Sequence, residues 1–183
     1  CSIFFAPTDR SRANLLDEGV DANAVHVTGN TVIDALLWVR DRMRGHSFAE
    51  LGAYGDATQV LAGDRPVVLV TGHRRESFGG GFERICEALV RLSEAHPEVA
   101  FIYPVHLNPN VQRPVKTHLQ GRDNIFLLPP LDYAPFVRLM DRSTLILTDS
   151  GGIQEEAPSL GKPVLVMREV TERPEGVAAG TVE

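Results

Sequence analysis

Cysteine is scarce: Cys1 and Cys86 are the whole complement of a 183-residue chain. That excludes a disulfide scaffold and makes a reducing compartment, the cytoplasm, the expectation. Basic charge is short as well, with 18 Lys and Arg against 24 Asp and Glu and a net charge of −6. A general nucleic-acid binder needs a basic face to neutralise phosphates, so that class is excluded. A small anionic ligand stays open, because a single pocket can be positive on an acidic protein. No apolar run approaches the roughly 18 residues of a membrane span; the longest are pieces such as Pro66–Val70. No Cys/His cluster has metal-ligand spacing, and neither a Gly-x-Ser-x-Gly turn nor a Walker-type loop occurs. Neither a metal nor a cofactor is therefore expected. The chain starts at Cys1, runs at once into the strand-like Ile3–Ala6 and stops at Gly180-Thr181-Val182-Glu183, which reads as a piece of a longer protein. What remains is an ordinary globular composition, 43% hydrophobic and 23% charged. It is enough for one medium domain, or one and a half, with a proper core.

Short apolar runs alternate with amphipathic stretches, the pattern of an α/β fold with a mostly parallel sheet. Ile3–Ala6 and Val25–Thr28 read as strands. Between them a helix opens at Pro7-Thr8-Asp9 and stops at Gly19; after them Val32, Ile33, Leu36 and Leu37 recur at helical spacing. Residues 44–65, with four glycines and weak patterning, are the expected linker. Beyond it the rhythm is regular. Strands are predicted at Val67–Val70, Val99–Tyr103, Ile125–Leu128, Leu145–Thr148 and Val164–Met167. Helices are predicted at Gly81–Ala95, Val111–Leu119, Tyr133–Met140 and Ile153–Leu160. These are the parts of one Rossmann-like sheet with helices on both faces.

In open parallel sheets ligands bind beyond the carboxyl ends of the strands, and the chemically capable residues gather there. His73-Arg74-Arg75-Glu76 follows one strand, His106 the next, Ser150-Gly151-Gly152 another. Ser150, Gly151 and Gly152 precede a helix, so free N–H groups, a hydroxyl and the positive helix end suit a phosphate. An N-cap at Asp149 or Ser150 with a plain turn explains the same string. The His73–Glu76 run pairs an Arg fork suited to phosphate with a histidine able to move a proton, or else is a solvated loop. Gly79-Gly80-Gly81 reads as a loop closing on a ligand, or as slack. Glu156 suits the helix dipole or the two hydroxyls of a ribose; Tyr133 and Phe136 flank a base or pack a short helix. Residue by residue, this reaches a phosphate-bearing ligand, a nucleotide, on an α/β domain.

The strings Val70-Thr71-Gly72-His73-Arg74-Arg75-Glu76, Tyr103-Pro104-Val105-His106-Leu107-Asn108-Pro109-Asn110 and Leu147–Pro158 together resemble the bacterial non-hydrolysing UDP-N-acetylglucosamine 2-epimerases. Phe5-Ala6-Pro7-Thr8, Val27–Asp34 and Thr171-Glu172-Arg173-Pro174-Glu175 extend the match, with residues 44–65 least alike. The resemblance implies one half of a two-domain, glycosyltransferase-B-like architecture: a hinge and leading strand–helix segment at 1–43, a linker at 44–65, and a nucleotide-binding domain at 66–183. It implies that His73, the catalytic residue here, and the Ser150-Gly151-Gly152 turn meet the diphosphate of UDP-N-acetylglucosamine. Glu156 would take the ribose, Phe136 and the Leu131 region the uracil, and Arg173 the phosphates. Arg74 and His106 match positions linked to an allosteric second substrate. It further implies elimination and re-addition of UDP across C1–C2 of the sugar, a homodimer, and a place in cell-surface polysaccharide biosynthesis. The carboxylates that move the C2 proton belong mainly to the other domain, so this chain alone is expected to be inactive. Two other readings compete: a glycosyltransferase of the same architecture, and a non-catalytic nucleotide-binding module.

Overall fold

The computed structural model describes residues 1–75, 80–168, 176–177 and 179–183. The chain divides into two units, Cys1–Trp38 and Val39–Glu183. The first holds a parallel pair, β1 (Phe4–Ala6) and β2 (Val25–Val27), joined through α1 (Asp9–Asp17). Thr8 starts that helix, its extended backbone letting its hydroxyl accept from Ser11 N–H at 3.1 Å. Helix α2 (Thr31–Met43) carries the chain into the second unit.

Residues 44–65, expected as a linker, hold α3 (Phe48–Leu51), a 3₁₀ turn at Gly55–Ala57 and α4 (Thr58–Ala62). Ser47 and Glu50 form a capping box. Phe48, Tyr54, Ala57 and Leu61 are buried. Tyr54 donates its hydroxyl to Pro135 O at 2.9 Å, and the Arg138 guanidinium lies 4.6 Å from the Phe48 ring centre. The segment packs although its pattern is weak, because single anchors at irregular spacing bury it rather than a periodic face.

The second unit is built on five parallel strands: β3 (Val67–Thr71), β4 (Ala100–Pro104), β5 (Ile125–Leu128), β6 (Leu145–Thr148) and β7 (Val164–Val166). Between them run α5 (Gly80–Ala95), α6 (Pro109–Leu119), α7 (Tyr133–Arg142) and α8 (Gly151–Ser159). All of β3 is buried, as a parallel strand covered on both faces must be. Val68, Val70, Phe101 and Tyr103 share one core with Phe82, Cys86 and Leu89 of α5 and Val111, Val115 and Leu119 of α6. The alternate residues Val67, Leu69 and Ile102 are equally buried and, by the period of two, turn to the opposite face, where α7 meets β3. Burial pushes the Cys86 thiol up to about 11, which makes it an inert part of this core. Among the described residues no helix is long and apolar enough to cross a membrane.

The end of the sheet away from the strand exits is tied by side chains. Asn124, just before β5, donates its buried amide to Ser93 O, His96 O and Val99 O at 3.0, 3.2 and 3.1 Å. Arg142 at the end of α7 donates to Leu61 O at 3.1 Å and Arg65 O at 2.9 Å. These staples satisfy carbonyls that helix and strand ends leave open.

Candidate active site at the switch point of the sheet

The strand order is β5-β4-β3-β6-β7. The chain moves outward on one side of β3, then returns to its other flank, so the topology reverses between β3 and β6. In open parallel sheets such a reversal, at the carboxyl ends of the strands, is where ligands bind. Register pairs Thr71 with Thr148, which sets the loop carrying His73 beside the turn carrying Ser150. The two threonine hydroxyls meet at 2.6 Å, Asp149 N–H donates to Thr71 O at 3.1 Å, and Ser150 N–H donates to Thr148 Oγ1 at 3.0 Å.

Asp149 is fully buried. Its Oδ2 accepts from the backbone N–H of His73 at 2.7 Å and of Arg74 at 2.8 Å. It therefore does not cap α8, as one reading of the sequence allowed; it holds the loop after β3. Ser150 occupies the N-cap position with extended backbone (φ −84°, ψ 127°), yet its side chain makes no capping bond. The first N–H groups of α8 are thus left without a side-chain cap at the positive end of its dipole. Gly151 is buried, and a Cβ on Gly152 would meet nothing nearer than Ser150 Oγ at 3.9 Å. Packing does not demand the glycine at 152, and the backbone there is open to close approach.

The His73 side chain is 41% exposed, with Nδ1 3.4 Å from Asp149 Oδ1. Its ring stacks on His106, centroids 5.4 Å apart and planes 16° apart. His106 accepts at Nδ1 from Asn108 N–H at 3.1 Å, and Asn108 caps α6 by accepting from Asn110 N–H at 2.9 Å. Beneath His73, Gly72 is pinned: its carbonyl accepts from the buried Tyr103 hydroxyl at 2.8 Å. Burial, with Cys86 and Asp149 nearby, holds that phenol well above its usual range. A Cβ on Gly72 would lie 3.1 Å from Tyr103 Oη and 3.5 Å from Phe82 and Met167.

Glu156 lies in α8, partly buried. Its carboxyl is raised, first by burial and then by Glu155. Tyr133, the first residue of α7, is raised by burial first and then by the charge of Glu156. Phe136 follows within α7, partly buried. The structure thus brings together His73, Arg74, His106 and the Ser150-Gly151-Gly152 turn. Gly80, expected in a loop, opens α5 one residue before the predicted helix start at Gly81; Glu76 and Gly79, like Arg173, lie outside the described residues. Sequence reasoning missed the roles of Asp149, Tyr103 and Thr148; a Thr-Asp pair ending a buried strand was the available signal.

The family model of UDP-N-acetylglucosamine 2-epimerase matches residues 1–183. A probable UDP-N-acetylglucosamine 2-epimerase of Ralstonia nicotianae is 65% identical over 181 residues, 99% of this chain and 48% of the relative. The crystal structure of the Neisseria meningitidis UDP-GlcNAc 2-epimerase bound to UDP-GlcNAc superposes with a TM-score of 0.92 at 47% identity, over all of this chain and 48% of that one. The S. aureus MnaA–UDP co-structure gives 0.87 at 43% identity, over all of this chain and 47% of that one. The chain spans about half the length of the curated relatives it matches. Matched over its whole length by the family model, the chain belongs to the UDP-N-acetylglucosamine 2-epimerase family.

Proposed function

We propose that the protein containing this chain interconverts UDP-N-acetylglucosamine and UDP-N-acetylmannosamine, with this chain supplying the half that holds UDP. The observation that carries the reading is the uncapped start of α8 behind Ser150, beside His73 at the switch point. Solved relatives bind UDP-GlcNAc and UDP. In this reading the diphosphate lies on the N–H groups of the Ser150-Gly151-Gly152 turn, with His73 and Arg173 facing its oxygens. Glu156 accepts from the ribose hydroxyls and Phe136 borders the uracil. Arg74 and His106 serve a second, regulatory nucleotide sugar. Residues 1–43 act as hinge, 44–65 as linker and 66–183 as the nucleotide-binding domain of a cytoplasmic homodimer.

The chemistry explains the division of labour. The C2 proton of the sugar has no adjacent carbonyl, so direct removal would leave an unsupported carbanion. Elimination avoids this: the C2–H bond and the C1–O bond to UDP both break, and a C1=C2 double bond forms. Protonation at C2 from the opposite face and return of the UDP oxygen to C1 then give the epimer, with atoms and electrons balanced. Charge develops on the departing diphosphate, where preorganised N–H groups, Arg and His stabilise it most.

Full-length protein mixed with UDP-N-acetylglucosamine and no acceptor is expected to build up UDP-N-acetylmannosamine, followed by proton NMR. His73→Ala is expected to lower turnover about 100-fold or more, as loss of one transition-state donor does. Free N-acetylmannosamine as the sole product, or turnover only with an added acceptor, would overturn the reading.

A further inference from the structure

The site contains a buried carboxylate oxygen that the proposed chemistry leaves unused. Oδ2 of Asp149 is satisfied twice by backbone N–H groups. Its Oδ1 is equally buried and makes no hydrogen bond; the nearby donor is Nδ1 of His73, 3.4 Å away. A charged oxygen kept from water without a partner is costly. Turning an imidazole lone pair toward it would add repulsion. The favourable arrangement puts a proton on His73 Nδ1, with a small ring rotation closing the bond when ligand arrives. That leaves Nε2 as the open nitrogen, on a side chain 41% exposed to solvent.

His106, stacked on the same ring, is held the opposite way. Its Nδ1 already accepts from Asn108 N–H at 3.1 Å, so in the neutral ring the proton resides on Nε2. From these contacts we infer that Asp149 is a positioning residue that selects the Nδ1–H tautomer of His73, while the Asn108 amide selects the Nε2–H tautomer of His106. The stacked pair thus carries one accepting Nε2 and one donating Nε2. The accepting Nε2 of His73 takes up a proton, and the ring then donates it to the diphosphate oxygens that it faces in the epimerase reading. The inference rests on the epimerase reading for its use, but not for its geometry.

The test uses full-length protein with ¹⁵N-labelled histidine, at a pH where the rings are neutral. Long-range proton–nitrogen spectra report which ring nitrogen is protonated, and His73→Gln and His106→Gln spectra assign the signals. His73 protonated at Nδ1 and His106 at Nε2 are expected; either ring in the other tautomer overturns the inference. Asp149→Asn keeps an oxygen for the two backbone N–H groups but turns an NH₂ toward His73. It is expected to move the His73 proton to Nε2 and to lower kcat about 100-fold or more, with KM changed only a few-fold and the thermal midpoint little moved. The exchange of a carboxylate for an amide beside a catalytic histidine acts this way, by imposing the wrong tautomer. If Asp149→Asn shifts the tautomer without loss of turnover, or loses turnover without the shift, the positioning role fails. Should that variant not fold, the tautomers of the unmodified protein decide alone. A parent protein without epimerase activity would sink the functional reading and leave the tautomer result standing, so the two failures are distinct.

Discussion

Replacing Glu156 by Gln is expected to act with opposite signs on the empty and the liganded protein. The Glu156 carboxyl is raised in the fold, by burial first and by Glu155 second. A carboxyl whose folded pKa exceeds its unfolded one favours the fold when protonated. That contribution is complete below the unfolded value and is lost as pH rises through the folded value. At neutral pH the ionised Glu156 therefore holds the empty protein back, and Gln removes this cost. The thermal midpoint of E156Q should exceed that of the parent at pH 7.5, and the two should converge toward pH 4. Binding runs the other way. Hydrogen bonds to a charged group contribute about 1.5–3 kcal/mol against about 0.5–1.5 for neutral pairs. Two ribose hydroxyls facing an amide in place of a carboxylate should lose about 1–3 kcal/mol, or about 5–150-fold in the Kd for UDP. Calorimetry with UDP and with 2′,3′-dideoxy-UDP isolates the contact, because the second nucleotide should not sense the substitution. Equal losses for both nucleotides, or unchanged UDP affinity in a folded variant, would refute the ribose assignment. A lower midpoint at pH 7.5 would refute the account of the carboxylate.

Two stability predictions follow from the core. Asn124→Ala strips a shared donor from Ser93 O, His96 O and Val99 O, and should cost about 2–4 kcal/mol in urea unfolding; Asn124→Asp should cost more at neutral pH, by facing a carboxylate to those carbonyls. Gly72→Ala drives a methyl to 3.1 Å from Tyr103 Oη and should cost about 1–3 kcal/mol. Adding Tyr103→Phe should recover part of that loss, and simple additivity of the two substitutions would show that they do not meet.

The five strands and four helices from Val67 onward were legible because each announces itself locally. Four- or five-residue apolar runs make buried parallel strands, and the spacing of Phe82, Cys86 and Leu89 makes one helical face. The residues at the strand exits were equally plain, since topology sends every carboxyl end to the same edge of a parallel sheet. Residues 44–65 were not legible, because Phe48, Tyr54 and Leu61 fit neither period, and α7, distant in the chain, supplies part of the surface that buries them. The cap at the start of α8 was ambiguous for a related reason: a Thr-Asp-Ser-Gly string permits several capping geometries, and the backbone of a distant loop decides among them.

The sequence by itself determined the class of fold, the edge on which the candidate site residues gather and the family resemblance. Local period, turn residues and spacing are properties of neighbours in the chain. Tertiary structure alone decided that β3 and β6 lie side by side, that Asp149 grips the loop of a histidine 76 residues away, and that His73 rests on His106. Those contacts depend on strand order and register, which are set by how helices cover both faces of the sheet. No window along the chain contains that information.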